Sequence, residues 1–443
     1  MRASVFIAPW IVTCLASAVF AEDWPQYLGP KREGVWREAG IVDTLPKEPK
    51  YLWRKEVGQG YAGPAVAGGK VFVPDFVLGD GSSLPKSGFG KSSLTGLERI
   101  LCLDEKTGKL LWKQEYETTY RVGYPGGPRV TPTVDDDRVY HLGTMGDLLC
   151  ISIAKGDILW KKNFVKDFDA TLPVWGFSSS PLVDGENLIC FVGGSEGRGV
   201  IAFDKKTGDI KWKSITTRGD PGYAVPMIFT FGGVRQLIIW HSSAVTSLNP
   251  ETGKRIWFEP WEIRAALTAP APRAEGDILF LTAFYNGSMC LKVGADKATV
   301  VWKSKKESEM ASQTQDLHSI MMTPTIKEGH VYGVCSYGEL RCLKLDSGER
   351  LWMSYEPITG KSVRWGNAFI IPHDDRYFLF NELGELIIGK MTPEKYTEVS
   401  RMKILEPTNG MAGRPVVWMH PAFANKNCYA RNDKEIVCVS LAK

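Results

Sequence analysis

The 443-residue sequence has little of what compact reaction centres usually require. It contains 6 His and 9 Cys, and no two cysteines are adjacent. None of them lies in a zinc-type spacing or in a Cys-x-x-Cys-His haem-attachment motif. No Ser–His–Asp arrangement stands out, and the Gly-rich stretches lack the spacing of a phosphate-binding loop. The net charge of +4 is too small and too dispersed to indicate a nucleic-acid partner.

Long apolar runs are also absent after the first 20 residues, which excludes a membrane bundle. The start itself has a basic residue, an apolar run from Ala3 to Phe20, and a small-x-small ending at Ala21. This pattern predicts a signal peptide over residues 1–21 and export to the periplasm or the extracellular space. A membrane anchor is the alternative. A lipid-anchored form at Cys14 is a weaker one, because no small residue of the usual kind precedes that cysteine.

Tryptophan, glycine and proline are abundant, with 15, 45 and 26 residues. Gly and Pro mark chains with many turns. A repeated unit accounts for much of this, since several segments read as a strand, a tight turn carrying Gly, and a second strand ending in Trp. They are LDEKTGKLLW, SIAKGDILW, FDKKTGDIKW, LNPETGKRIW and KLDSGERLW, with KVGADKATVVW as a more degenerate copy. The closing tryptophans are 48, 52, 45, 45 and 50 residues apart.

A proline opens each copy in step with this repeat, which is expected of a strand start or sheet edge. These prolines are Pro64, Pro132, Pro181, Pro226, Pro270, Pro324, Pro372 and Pro421. Eight units of four short strands predict an all-β, eight-bladed β-propeller over residues 51–443, preceded by an arm over 22–50. The strand around Trp53 supplies the strand that the last copy lacks, which closes the ring. Seven blades is the alternative, because the copy from Arg364 to Ile404 has lost its Trp.

The Asp-x-x-Thr-Gly-x-x-x-Trp turn resembles the tryptophan-docking motif of the pyrroloquinoline-quinone (PQQ) repeat family. That family includes quinoprotein alcohol dehydrogenases and a non-enzymatic propeller lipoprotein of outer-membrane assembly, so the resemblance is specific to fold more than to function. The arm sequence DWPQYLGPKREGV is similar to a segment that precedes such propellers in secreted bacterial proteins, although Leu28 stands where Arg is expected. The resemblance implies that a set of tryptophans packs on the next blade. These are Trp53, Trp112, Trp160, Trp212, Trp257, Trp302 and Trp352.

The same resemblance makes PQQ with calcium a possible cofactor, while no cofactor is assured. Quinoprotein dehydrogenases usually carry an adjacent Cys-Cys pair and larger insertions, and this sequence has neither. Cys102, Cys150 and Cys342 instead occupy a recurring small position ten residues before their Trp. Cys335 and Cys342 flank one hairpin turn, so a disulfide between them stays open. No metal ligands and no catalytic residues are identified.

The loops that enter the innermost strands share one face of a propeller, so residues just before the marker prolines are expected to rim the channel there. This set mixes aromatic rings with cations, which suit sugar or quinone faces and anionic groups. The candidate ligand-binding residues are Tyr61, Arg121, Tyr124, Trp175, Tyr223, Arg264, His318, Arg364, Trp365, Arg414 and His420. A Gly/Ser/Lys-rich insertion of about 20 residues between the second and third strands of the first blade is expected above the same face.

The sequence thus predicts a secreted PQQ-like propeller that acts as a binding or assembly scaffold through one loop face. Its expected partner is a protein or an anionic or carbohydrate ligand, and it is expected to be a monomer with no nucleic-acid partner. The alternative is an enzyme, either a small quinoprotein dehydrogenase or a polysaccharide-acting enzyme with its site at the channel mouth.

Overall fold

The computed structural model describes residues 22–85, 87–89, 93–410 and 412–443, and the predicted signal peptide lies outside these residues. The described chain folds into eight four-stranded antiparallel sheets, which are the blades of a propeller. From the innermost strand outwards, the strands of blades 1 to 4 are as follows. Blade 1 has Ala65–Ala67, Lys70–Leu78, Leu94–Asp104 and Leu110–Tyr120; blade 2 has Thr133–Asp135, Arg138–Leu142, Asp147–Ser152 and Ile158–Asn163. Blade 3 has Leu182–Asp184, Asn187–Phe191, Val200–Asp204 and Ile210–Ser214; blade 4 has Met227–Phe231, Val234–His241, Ala244–Leu248 and Arg255–Pro260.

The second half of the ring repeats this order. Blade 5 has Arg273–Glu275, Ile278–Ala283, Gly287–Val293 and Ala298–Lys303; blade 6 has Thr325–Lys327, His330–Val334, Leu340–Lys344 and Arg350–Ser354. Blade 7 has Ala368–His373, Arg376–Asn381, Glu385–Met391 and Tyr396–Lys403; blade 8 has Ala422–Ala424, Asn427–Arg431, Glu435–Ser440 and Tyr51–Glu56. In the part of the chain that the structure describes, helix is confined to Phe164–Phe168 and two 3₁₀ turns, Arg264–Ala266 and Ala311–Gln313. Among the described residues, no helix is long and apolar enough to cross a membrane.

Ring closure is made by the first strand of the chain, which pairs antiparallel with the last one. Trp53 faces Cys438 in this pairing, so the eighth blade combines both ends of the propeller. The closure removes an open sheet edge that would otherwise be free to pair with another chain. The prediction of eight blades with this closure is confirmed, and the seven-bladed alternative is wrong.

Tryptophan docking joins each blade to the next. The indole Nε1 of Trp53, Trp112, Trp160, Trp212, Trp302 and Trp352 donates to a backbone carbonyl of the following blade's outer hairpin, at 2.7–3.3 Å. In five of these contacts the ring lies on a turn glycine of that hairpin. Gly253 illustrates the constraint, because it has φ +71° and an added Cβ would come within 2.4 Å of the Trp212 ring. The hairpin therefore needs glycine both for its left-handed backbone and for the space that the indole takes.

Two contacts between neighbouring blades differ from this pattern. Trp257 donates to Gln236 Oε1 at 2.6 Å, and the amide of Gln236 in turn donates to the Gly294 carbonyl of blade 5. In blade 7 the corresponding slot is filled by Ser400, whose hydroxyl accepts from the backbone amide of Leu45 at 2.9 Å. In blade 8 the two outer strands come from opposite ends of the chain, so no hairpin connects them. No turn glycine is therefore present to receive an indole. This explains why the seventh copy has lost its Trp.

The arm crosses the central channel and forms hydrogen bonds with the blades that surround it. Trp24 exchanges two main-chain hydrogen bonds with Val66 of blade 1, and Val134 of blade 2 donates to the Pro25 carbonyl. The arm also meets blade 6, because the hydroxyls of Tyr27 and Thr323 lie 3.2 Å apart. These contacts fall on the innermost strands or directly before them.

Arg32 and Trp36 carry the arm across the remaining blades. The buried guanidinium of Arg32 donates to carbonyls at the start of blades 3 and 4, including Pro226 at 2.9 Å, and burial lowers its pKa to about 9. Arg273 of blade 5 donates to the Arg32 carbonyl. Trp36 donates to the Pro372 carbonyl of blade 7, and the amide of Lys426 in blade 8 donates to a carboxylate of the arm. The arm thus touches all eight blades and closes one end of the channel.

The cysteines follow the small-position prediction. All eight in the described residues are buried free thiols, including Cys335 and Cys342, so the disulfide left open between these two is not formed. Cys102, Cys150 and Cys342 each pair across the sheet with their blade's docking Trp.

Replacing the docking indole Trp212→Ala is predicted to destabilise the protein by about 3–5 kcal/mol, since it removes a buried ring and one hydrogen bond at a seam. The measurement is thermal or urea unfolding followed by far-UV circular dichroism. Ile210→Ala on the same outer strand is the control: its side chain is 43% exposed, so the change should stay within about 0.5 kcal/mol. Equal losses in both variants would contradict the docking role.

Candidate functional site

The open end of the channel forms a cavity of about 410 Å³ on the loop face. Most of its wall consists of residues before or at the start of the innermost strands, with two residues from a turn of blade 5, one from the arm and one from the blade 1 insertion. The lining residues include Tyr27, Tyr61, Phe89, Tyr124, Arg129, Thr131, Trp175, Ser178, Ser180, Tyr223, Val225, Phe284, Tyr285, Met321, Arg364, Trp365, Phe369, Trp418 and His420. Tyr27 belongs to the arm, so the arm forms the floor of this cavity. The channel is therefore a pocket that opens on the loop face.

Aromatic rings from several blades dominate the wall and contact one another. Trp175 and Tyr223 have ring centroids 5.6 Å apart. Phe89, from the insertion in blade 1, lies 5.5 Å from Tyr124 and 5.4 Å from Trp365. Phe89 is 60% exposed, so the insertion places an apolar ring above the mouth of the cavity. Ring faces of this kind bind flat apolar surfaces of a ligand.

Two of these rings stand on a left-handed backbone. Tyr124 has φ +49° and Trp365 has φ +62°, which is rare for bulky residues. Hydrogen bonds hold both: the amide of Tyr124 donates to the Gly88 carbonyl, and that of Trp365 to the Ser336 carbonyl. Strained residues that the surroundings enforce in this way cluster at binding and catalytic sites.

Arg129 is the cation of the wall that has no acidic partner among the described residues. Its guanidinium donates to the carbonyls of Gly127, Gly123 and Tyr124, and it lies 5.1 Å from the Tyr61 ring centroid. Burial lowers the pKa of the Arg129 guanidinium, although nearby Tyr61 and Glu98 act in the opposite direction. Such a group favours an anion in the cavity.

The arginines predicted as ligand-binding residues lie in different settings. Arg364 lines the cavity, but both oxygens of Glu309 accept from it at 2.6 and 2.8 Å. Arg414 is outside the lining and is bonded to buried Glu382, whose pKa is raised by burial. Arg264 lies on the ring of the lining residue Tyr285, at 4.5 Å. Arg121 is exposed and is not part of the wall.

The two predicted histidines also differ. His420 lines the cavity, and its ring contacts those of Tyr27 and Phe369. Its Nδ1 is bonded to the Pro421 carbonyl at 2.7 Å, and since a carbonyl only accepts, Nδ1 carries the proton. Burial lowers its pKa to about 4, so the ring is neutral at pH 7 with its lone pair on Nε2. A neutral ring of this tautomer can accept one hydrogen bond from a ligand.

His318 is buried behind the cavity wall, with its Nδ1 3.2 Å from the carbonyl oxygen of the lining residue Phe284. Its Nε2 lies 2.9 Å from Asp316 Oδ1, and the other oxygen of Asp316 accepts from the Ser304 hydroxyl at 2.6 Å. The aspartate stands between the serine and the histidine, so the histidine does not activate the hydroxyl as a base.

The cavity does not offer the ligands that calcium-bound PQQ would require. Calcium takes oxygen ligands and favours carboxylates, yet the wall includes no Asp or Glu among the described residues. The described residues also contain no cluster of three or more His, Cys, Asp or Glu that could hold a metal ion. The residues present therefore do not fit a calcium–quinone pair, and no redox step follows from them.

Seven of the predicted residues come together in the wall, namely Tyr61, Tyr124, Trp175, Tyr223, Arg364, Trp365 and His420. Sequence reasoning missed Arg129 and the floor residue Tyr27. Arg129 lies three residues before Pro132, so the position rule that selected the other candidates also covers it. No sequence signal placed Tyr27 under the cavity, because the contact joins the arm to distant blades.

Comparison with known proteins agrees with this architecture. The sequence model of the family described as outer membrane protein assembly factor BamB matches residues 96–368, more than half of the chain. The protein therefore belongs to this family of PQQ-like β-propellers. No curated protein matches its sequence significantly.

Solved structures show the same fold at low identity. Quinohemoprotein alcohol dehydrogenase ADHIIG from Pseudomonas putida HK5 superposes with a TM-score of 0.61 at 11% identity, covering 95% of this chain and 80% of that one. Quinohemoprotein alcohol dehydrogenase from Comamonas testosteroni gives 0.58 at 12% identity, with the same coverage. BamB from Moraxella catarrhalis gives 0.42 at 13% identity, covering 88% and 99%. The similarity to the two dehydrogenase structures shows that the fold is shared, and at this identity it shows nothing more.

His420→Gln is predicted to change how stability depends on pH. The pKa of His420 is about 4 in the folded state and about 6.5 when unfolded. The unfolded chain therefore binds more protons in this window, and the stability from the neutral ring, about 3 kcal/mol, is lost as pH falls from 6.5 through 4. The difference in unfolding free energy between wild type and variant, measured from pH 7.5 to 4.5, should shrink accordingly. A constant difference would contradict the buried neutral state.

Proposed function

We propose that this protein is an exported binding propeller whose cavity takes a small ligand with a flat ring face and one anionic group. The observation that carries the proposal is the aromatic-lined pocket with Arg129 in its wall. Binding, and not chemistry, is its action. Export is supported by the leader-like start of the sequence and by the family's description as an outer membrane assembly factor.

The cavity meets the usual requirements of a small-molecule site. Such sites are concave and mostly apolar, and a few polar groups in them fix the ligand's orientation. Here the rings of Trp175, Tyr223 and Trp365 supply the apolar wall. Arg129 supplies a charge, and the neutral ring of His420 supplies a hydrogen-bond acceptor. An aromatic or sugar ring that bears a carboxylate matches this set.

Catalysis is less well supported by the same wall. The wall residues include no carboxylate among those described, and the histidine's pKa of about 4 makes it a weak base at neutral pH. The paired arginines, Arg364 and Arg414, already satisfy acids of their own. A dehydrogenase would be recognised by calcium-dependent binding of PQQ together with reduction of an acceptor dye by alcohols or sugars, and this result would overturn the proposal.

The binding experiment uses two fluorescent probes with the same rings, 8-anilinonaphthalene-1-sulfonate and neutral N-phenyl-1-naphthylamine. The anionic probe should bind saturably, at one site. Arg129→Gln should weaken its binding by about 1.5–3 kcal/mol, because one charge-assisted contact is lost. The neutral probe should bind both proteins alike.

The exposed Arg121→Gln variant, outside the wall, is the matched control and should bind both probes like the wild type. If Arg129→Gln weakens both probes equally, the cavity does not select for the anionic group. If neither probe binds at a single site, the cavity is not the ligand site.

A further inference from the structure

Glu38 of the arm is a buried carboxylate that lacks a cationic side-chain partner. It is 2% exposed, and it forms no ion pair within the part of the chain that the structure describes. Its Oε2 accepts from Trp36 Nε1 at 2.8 Å and from the Lys426 amide at 2.9 Å. Its Oε1 accepts from the backbone nitrogen of Glu22 at 3.2 Å. A buried charge held only by neutral donors is costly unless a counter-ion is supplied.

The nitrogen of Glu22 can become that counter-ion. In the full-length chain it is a peptide amide, but the predicted signal peptide ends at Ala21, immediately before it. Hydrolysis of the Ala21–Glu22 bond consumes one water, leaves a carboxylate on Ala21 and converts the nitrogen of Glu22 into a primary amine. An α-amine has a pKa of about 7.7–8.0, so it is mainly an ammonium at neutral pH. This ammonium would stand beside Glu38.

We propose that a signal peptidase cleaves the chain after Ala21, and that the α-ammonium it creates pairs with Glu38 and fixes the arm across the channel. The inference rests on export, which is part of the proposed function, but not on the identity of any ligand. Glu38 connects the new terminus to Trp36 and to blade 8, through the amide of Lys426. Cleavage therefore completes the attachment of the segment whose Tyr27 is the floor of the cavity.

The first measurement is the intact mass of the protein exported by a Gram-negative host. The proposal expects a mature chain that begins at Glu22. A chain that begins at another residue, or that keeps its leader, would overturn the cleavage site. This result is independent of probe binding, so the failure of the ligand proposal is seen separately.

The second measurement is a double-mutant cycle on purified protein. One form begins at Glu22 and the other carries Gly-Ser before Glu22, which moves the charge without altering any native residue. Both are compared with and without Glu38→Gln. The extended form should melt lower by about 2 °C or more at pH 7. The gap between the two forms should close above pH 9, where the amine is neutral.

In Glu38→Gln the two N-termini should give the same Tm. Glu33→Gln is the matched control, because Glu33 is an exposed carboxylate of the same arm that pairs with Arg37. In this control the gap between the two N-termini should persist. A gap that is the same in the wild type and in Glu38→Gln would overturn the ion pair, even if the chain begins at Glu22.

Discussion

The inner edges of the eight innermost strands impose the constraint on which this molecule depends. Each edge presents backbone groups to the channel, and buried groups of this kind need partners. The arm supplies them at one end: Trp24 pairs with Val66, Pro25 accepts from Val134, and the guanidinium of Arg32 binds carbonyls that converge from two blades. At the other end, the wall of the channel is formed mainly by the loops that enter the innermost strands. A cavity is the result, and its depth is set by where the arm crosses.

The fold could be predicted from the sequence because its stabilising contact repeats. Most docking Trp rings lie on a turn glycine of the next blade's outer hairpin, so Trp and turn glycine recur together along the chain. The one copy without Trp looked like evidence for seven blades. The missing Trp is instead a consequence of ring closure, because the two outer strands of blade 8 come from opposite ends of the chain and no hairpin connects them. Ser400 accepts a hydrogen bond from the Leu45 amide at the position where an indole would have docked.

The sequence was sufficient to predict where the candidate site lies, but not which of its arginines are paired with acids. The rule that residues before the marker prolines rim the channel found the rings Tyr61 and Trp175, since it depends only on topology. It could not distinguish paired arginines from unpaired ones. Arg364 is satisfied by Glu309, 55 residues away, a contact that no local pattern reveals. The arm's position under the cavity was out of reach for the same reason, because its partners are spread over the whole ring.

A fold shared with dehydrogenases does not by itself decide the chemistry, so the composition of the wall must. Here rings, a carbonyl-held cation and a neutral histidine form a surface that can hold a flat anion but offers no oxygen ligands of its own for calcium. Because Tyr27 is part of that surface, a ligand that reaches the floor of the cavity touches the arm as well as the blades. Ligand binding must then stabilise the docked arm, and the docked arm must favour binding by the same free energy.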